Sequence, residues 1–109
     1  MKEWLLTLDT NSRSQVLAAI RILEREGPQL KRPLAGKIDG SQRIPSLKEL
    51  RPGSAGRSEI RILFAFDPKR KAILLVAGDK QNRWKSWYKK AIPEAEVRYD
   101  WWLEEEYGE

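Results

Sequence analysis

The sequence predicts an α+β fold, with an antiparallel sheet of three to four strands packed by N-terminal helices and C-terminal helices. Three observations predict it. Apolar residues recur at helical spacing near the start of the chain. Alternating or continuous apolar runs separated by turn residues fill the middle. Helical spacing then returns toward the end. A length of 109 residues fits one domain, taken as 1–109.

Trp4, Leu5, Leu6 and Leu8 read as a short helical turn, and Asp9 and Thr10 suit the cap of a second helix. Over 11–26, Val16, Leu17, Ile20 and Leu23 share a helix face, and Gly27-Pro28 ends it. The segment 29–42 is rich in Gly, Pro and Lys and reads as loop with at most one helical turn. A strand is expected over 44–51 and a turn over 52–56. From 58 to 66 the pattern alternates, with Ile60, Ile62, Phe64 and Phe66 on one face and Glu59, Arg61, Leu63 and Ala65 on the other. Asp67-Pro68-Lys69-Arg70 is a hairpin turn. The run 72–77 is apolar throughout and so predicts a central strand covered on both faces. A loop over 78–82 opens into a helix over 83–91. Pro93 suits the first position of a separate last helix over 93–106, which carries Ala95, Tyr99, Trp102 and Leu103 on one face.

Composition narrows the chemistry. The chain has no cysteine and no histidine, which excludes disulfides, thiolate zinc sites and the usual imidazole base; no metal and no cofactor are expected. No apolar run spans a bilayer, and the start lacks the long apolar segment of a signal peptide, so a cytoplasmic protein with no membrane partner is expected. The net charge of +5 is unevenly spread. Between 43 and 90 there are 13 basic residues against 4 acidic ones, whereas 91–109 holds 7 acidic residues and one basic, Arg98. A basic middle suits a polyanion such as RNA, because each neutralised phosphate releases counterions. The acidic end argues against a uniformly basic, nonspecific binder.

One set of residues stands out: Lys48, Arg51, Arg57, Arg61, Lys80, Arg83, Lys85 and Tyr88. The first four fall on two strands joined by one turn, and a sheet with cations across one face would cradle a bent RNA backbone. Cleaving RNA by attack of its 2′-hydroxyl needs a proton acceptor, a proton donor and stabilisation of the phosphorane charge. Without histidine, Lys or Tyr must move the protons. A lysine among arginines is pushed toward base work by like-charge repulsion, and arginine grips phosphate with two parallel bonds. Trp84, Trp87 and Tyr88 could stack an unpaired base. Trp84, Trp87 and Tyr88 also sit with Ala91 at helical spacing, which for at least one Trp favours packing on the sheet over base stacking. Trp101-Trp102 reads as core plus one exposed aromatic, or as a partner surface.

Three segments together resemble the RelE/ParE toxin superfamily, most closely its HigB, phage-derived branch: Leu47-Lys48-Glu49-Leu50-Arg51, Arg61-Ile62-Leu63-Phe64-Ala65-Phe66, and Ile73-Leu74-Leu75-Val76-Ala77-Gly78-Asp79-Lys80. The stretch from Trp84 to Asp100, with Trp87-Tyr88-Lys89-Lys90-Ala91-Ile92-Pro93, is similar to an actinobacterial-type subgroup of these toxins. The resemblance implies a small RelE-like fold. It also implies the toxin of a type II toxin–antitoxin module, a ribosome-dependent endoribonuclease acting on mRNA and neutralised by a helix-turn-helix antitoxin, with operator DNA reached only through that antitoxin. It assigns catalytic roles to Arg51, Arg61, Lys80 and Tyr88. Lys48, Arg57, Arg83, Lys85, Trp84 and Trp87 are then RNA contacts. The family pattern has a strand before the first helix, and this sequence starts almost at the helix, so a truncated start or a sheet one strand shorter is expected. A histidine frequent in the last loop of the family is replaced here by Gly78-Asp79-Lys80. On the same fold a ParE-like inhibitor of DNA gyrase, or an inactive toxin kept as an antitoxin-binding co-repressor, are the alternatives.

Overall fold

The computed structural model describes residues 2–53, 59–81 and 84–108. Helix α1 (Lys2–Leu6) and helix α2 (Thr10–Glu26) come first. Strands β1 (Ala35–Lys37), β2 (Lys48–Leu50), β3 (Ile60–Phe66) and β4 (Ala72–Asp79) come next, and α3 (Trp84–Tyr107) closes the order. The four strands form one antiparallel sheet in the order β1-β2-β3-β4. This is the expected α+β fold, at the upper end of the expected strand number.

Local chemistry sets the first two helices. Asp9 caps α2 by accepting the backbone N–H of Ser12 at 3.0 Å. Arg13 then donates to the carbonyls of Leu5 and Leu8, at 3.1 and 3.0 Å, and so ties the open end of α1 to α2. Gly27, at φ 61°, ends α2 in a conformation that glycine adopts without strain.

Both faces of the sheet are covered. On one, Ile60, Ile62 and Phe64 pack with Leu50, Ala35 and the α2 residues Val16, Ala19 and Leu23. On the other, Leu63, Ala65, Leu75 and Val76 pack with Ile44, Leu47 and the α3 residues Ala91, Ala95 and Tyr99. Each large apolar side chain so buried contributes about 1.5–3 kcal/mol. The period-two split of β3 between two faces is therefore as expected. The polar face is not open, however: α3 lies across it.

Four further expectations are corrected. Ala35–Lys37, expected as loop, is an edge strand, because it finds a partner in β2, with Gly36 opposite Glu49. The strand expected over 44–51 shortens to Lys48–Leu50, since Ser46 turns to φ 54° just before it, while Ile44 and Leu47 still reach the core. The apolar strand expected at the centre is β4, covered on both faces but at the edge of the hydrogen-bonded order. The two helices expected at the end are one, with Pro93 inside it. An interior proline costs a helix about 3 kcal/mol. Ala91, Ala95 and Tyr99, all buried against the sheet on either side of Pro93, offset that cost.

The hairpin turn after β3 is as expected and is pinned from a distance. Asp67 accepts the backbone N–H groups of Lys69 and Lys71 on one oxygen, each at 2.9 Å. Its other oxygen accepts the indole N–H of Trp102 at 2.9 Å and the hydroxyl of Tyr107 at 2.6 Å. The last turns of α3 are thereby fixed to the β3–β4 corner, with Trp101 facing outward at 67% exposure. The turn expected over 52–56 lies mostly outside the described residues, as does the start of the alternating segment at Ser58. Among the described residues, no helix is long and apolar enough to cross a membrane.

Candidate active site

Strand alternation decides which side chains meet. Glu49 pairs with Leu63, and Arg61 with Gly78, so Glu49 and Arg61 project from the same face. Arg51, two residues past Glu49, joins them; its backbone N–H is held by the Leu34 carbonyl at 2.7 Å. At the end of β4, the Asp79 carboxylate accepts the N–H groups of Glu59 and Gln81, each at 2.9 Å, and Lys80 donates its own N–H to the Glu59 carbonyl at 3.0 Å. These bonds fix the short loop that delivers Lys80. The first turn of α3 brings Tyr88 down onto the same place.

At the centre is Glu49, only 4% exposed. Its carboxylate stands 3.4 Å from Arg51 Nε and 3.7 Å from Arg61 Nε. The Tyr88 hydroxyl donates to it at 2.5 Å, with the second carboxylate oxygen at 3.0 Å. A buried carboxylate is tolerated only with such partners. Arg61 also donates to the Ile60 carbonyl at 2.8 Å and lies 4.0 Å from Glu59. Its Nε is, among the described residues, the buried side-chain nitrogen that no hydrogen bond satisfies. Lys80, 3% exposed, places its ammonium 3.9 Å from Glu59 and 5.3 Å from the Tyr88 ring centre.

Two glycines let the large groups lie flat. A Cβ on Gly36 would come 2.7 Å from Arg51 Nη2, and one on Gly78 would come 2.6 Å from Trp87 Nε1. The Arg51 guanidinium therefore lies over β1 and the Trp87 indole over β4. Trp87 also meets the Tyr88 ring edge-on, at 5.0 Å between centres and 82° between planes.

The electrostatics drive two neighbouring groups apart. Burial, and then the Arg61 charge, hold the Lys80 ammonium below the usual lysine value of 10.5. Burial, and then its hydrogen bond to Glu49, push the Tyr88 phenol well above the usual value of 10.0. A lysine shifted toward its neutral form thus sits beside a phenol that keeps its proton. The lysine shift moves it toward base work, whereas the phenol keeps its proton and is a weaker acid than a free tyrosine. Among the described residues, no three acidic side chains gather as a metal site would require.

Beside Glu49 and Tyr88 opens a cleft of about 800 Å³. Ile38 and Ile92 line it, with Lys37, Lys85 and Lys89 among the charged residues of its wall.

Of the residues singled out from sequence, the structure brings together Arg51, Arg61, Lys80 and Tyr88, and places Lys85 on the adjoining cleft. Trp87 packs over Gly78 and against Tyr88, so its indole is part of the support of the site. Lys48, expected as an RNA contact, does not join this cluster: it pairs with Phe64, sits 5.6 Å over the Phe66 ring and projects from the opposite face, because it neighbours Glu49 on an alternating strand. Arg57 and Arg83 lie outside the described residues, as does the side chain of Trp84. Glu49 is the site residue that sequence reasoning missed. The signal was present in Glu49 and Arg51, two apart on one strand and hence on one face.

Residues 3–100 match the family described as phage derived protein Gp49-like (DUF891). The protein named "Putative toxin HigB2" of Mycobacterium tuberculosis (strain ATCC 25618 / H37Rv) is 55% identical over 96 residues, covering 88% of this chain and 47% of that protein. "Putative toxin HigB3" of the same strain is 48% identical over 108 residues, covering 99% of this chain and 91% of that protein. The chain thus spans about half the length of the first relative and nearly all of the second. No solved structure matches it significantly.

Proposed function

Because this chain belongs to the phage-derived Gp49-like family and is similar to HigB-type toxins, we propose that it is the toxin of a toxin–antitoxin module and cleaves mRNA on the ribosome. The observation that carries the reading is the convergence of Arg51 and Arg61 on Glu49, beside Lys80 and Tyr88.

The proposed reaction is attack of a ribose 2′-hydroxyl on the adjacent phosphate, with release of the 5′-oxygen. Lys80, shifted toward its neutral form, accepts the 2′-hydroxyl proton. Arg51 and Arg61 stabilise the phosphorane, where the negative charge grows. The Nε of Arg61, 3.7 Å from Glu49 and without a hydrogen bond, is a donor that a shift of the side chain would offer to a phosphate oxygen. Tyr88 donates its proton to the departing 5′-oxygen. Glu49 is a positioning residue: it holds both guanidinium groups and the phenol in one place before the substrate arrives. No metal or cofactor takes part in this scheme.

A cognate helix-turn-helix antitoxin completes the module, and operator DNA is bound through it. Induced expression should arrest growth and leave cut mRNA, and Arg61→Ala should reduce cleavage in a ribosome assay by more than about tenfold, as loss of a charge-stabilising group does. Growth arrest with intact mRNA would end this reading.

A further inference from the structure

We propose that Lys31, Arg32, Lys37 and Lys48 form a track for the sugar-phosphate backbone of the RNA substrate, which passes over the β1 edge from the catalytic cluster to the opposite face of the sheet. The choice of ligand rests on the reading of the chain as an RNA-cleaving toxin.

The first observation is a placement that the fold alone does not favour. Lys37 and Lys48 stand directly opposite each other on paired strands and so project side by side. Like charges in that arrangement repel and destabilise a sheet. An anion between them turns the repulsion into attraction.

The second is the surrounding charge. The two lysines line a groove of about 490 Å³ whose other charged residues are Lys31 and Arg32, with no carboxylate among the lining residues described. Among the described residues, none of the four forms an ion pair. The cations of the neighbouring cluster are, by contrast, matched: Arg51, Arg61 and Lys80 by Glu49 and Glu59. The Lys48 ammonium is further held over the Phe66 ring, which limits how far it can swing away.

The third is continuity with the catalytic cluster. Only β1, a three-residue strand at the end of the sheet order, separates the two sets of cations. The Arg51 guanidinium lies over Gly36 on one face, and the next residue, Lys37, projects from the other. A backbone leaving Arg51 therefore meets Lys37 and Lys48 after turning one thin edge. Regularly spaced phosphates suit such a line of cations, and the contacts carry affinity without reading sequence.

The test uses RNA carrying 2′-O-methyl groups, which cannot be cleaved, in lengths of about four and about twelve nucleotides, the span of typical single-strand sites. Binding to the intact protein is monitored by fluorescence anisotropy across a salt series. The variant Lys37→Gln/Lys48→Gln keeps both aliphatic stems and removes both charges. It should bind the long RNA at least about tenfold more weakly at low salt, with the salt slope reduced by about 1.4 for two lost phosphate contacts. It should lose less affinity for the short RNA than for the long, and an unchanged Tm should show that it is folded. Equal affinity and slope for the long RNA in both proteins would overturn the track. So would a variant that loses only binding to polyglutamate, which would make the groove a seat for an acidic protein. If the long RNA depends on the two lysines and mRNA still goes uncut in a ribosome assay, the track stands and the ribonuclease reading falls.

Discussion

The hydroxyl of Tyr88, on the first half of α3, reaches 39 residues back along the chain to donate a 2.5 Å hydrogen bond to the buried carboxylate of Glu49 on β2. That bond joins the last helix to the second strand and fixes the phenol beside Lys80. Tyr88→Phe should lower stability by about 1–3 kcal/mol, the cost of leaving a buried acceptor short of a partner. It should also lower cleavage without changing the ring packing on Trp87. Thermal melting and a single-turnover assay read the two effects; an unchanged Tm would mean that the bond contributes nothing.

The pH dependence of cleavage should track Lys80. Its ammonium is held below the usual 10.5, so the base form gains population at lower pH than for a free lysine, and the rate should rise along a limb below that value. Tyr88 is raised above 10.0, so no fall from loss of its proton should appear by pH 10. Lys80→Arg should remove the rising limb and cut the rate by about 10²–10⁴-fold. A limb that persists in Lys80→Arg would assign the base elsewhere. For stability the sign is the same: between its lowered folded value and 10.5 the unfolded chain binds more protons at Lys80, so that group's contribution to stability rises with pH.

The two glycines of the site should respond differently to alanine. At Gly78 the added methyl meets the rigid indole of Trp87, so Gly78→Ala should cost about 1–3 kcal/mol through overpacking. At Gly36 it meets only the far end of Arg51. Gly36→Ala should leave Tm within about a degree or two, since surface-type changes cost under about 0.5 kcal/mol, while displacing the guanidinium and slowing cleavage. Denaturation and kinetics on the two variants separate the cases, and equal losses of stability would contradict this geometry.

Asp67 should set the acid limit of the corner it organises. Burial acts to raise its carboxyl, but the hydrogen bonds from Tyr107 and Trp102, then those from Lys71 and Lys69, outweigh it and lower the value from 3.8 to about 2. A depressed carboxyl stabilises the fold above its unfolded value and loses that contribution as pH falls through the folded one. Acid titration of Tm should therefore show a loss between about pH 4 and pH 2, and Asp67→Asn should flatten it. The same titration slope in both proteins would exclude Asp67 as its source.

The sequence by itself determined the class of fold, because hydrophobic period is a local property. The face of β3 that carries Ile60, Ile62 and Phe64 and the helix led by Asp9 are written in neighbouring residues. So is the turn at Asp67-Pro68. Arg51, Arg61, Lys80 and Tyr88 were legible too, from the charge pattern and the family resemblance. Tertiary structure decided the rest. Ala35-Gly36-Lys37 has no strand pattern of its own and becomes a strand only because β2 offers it hydrogen bonds. Pro93 reads as a helix start, but burial of Ala91, Ala95 and Tyr99 carries the helix through it. Glu49 looks like an ordinary exposed strand acid until α3 closes over it and makes a carboxylate that must be paired. Lys48 parts from its neighbours for the opposite reason, since alternation sends adjacent residues to opposite faces. Periods and turns are fixed within a few residues, whereas pairing, burial and charge neutralisation depend on groups far apart in the chain.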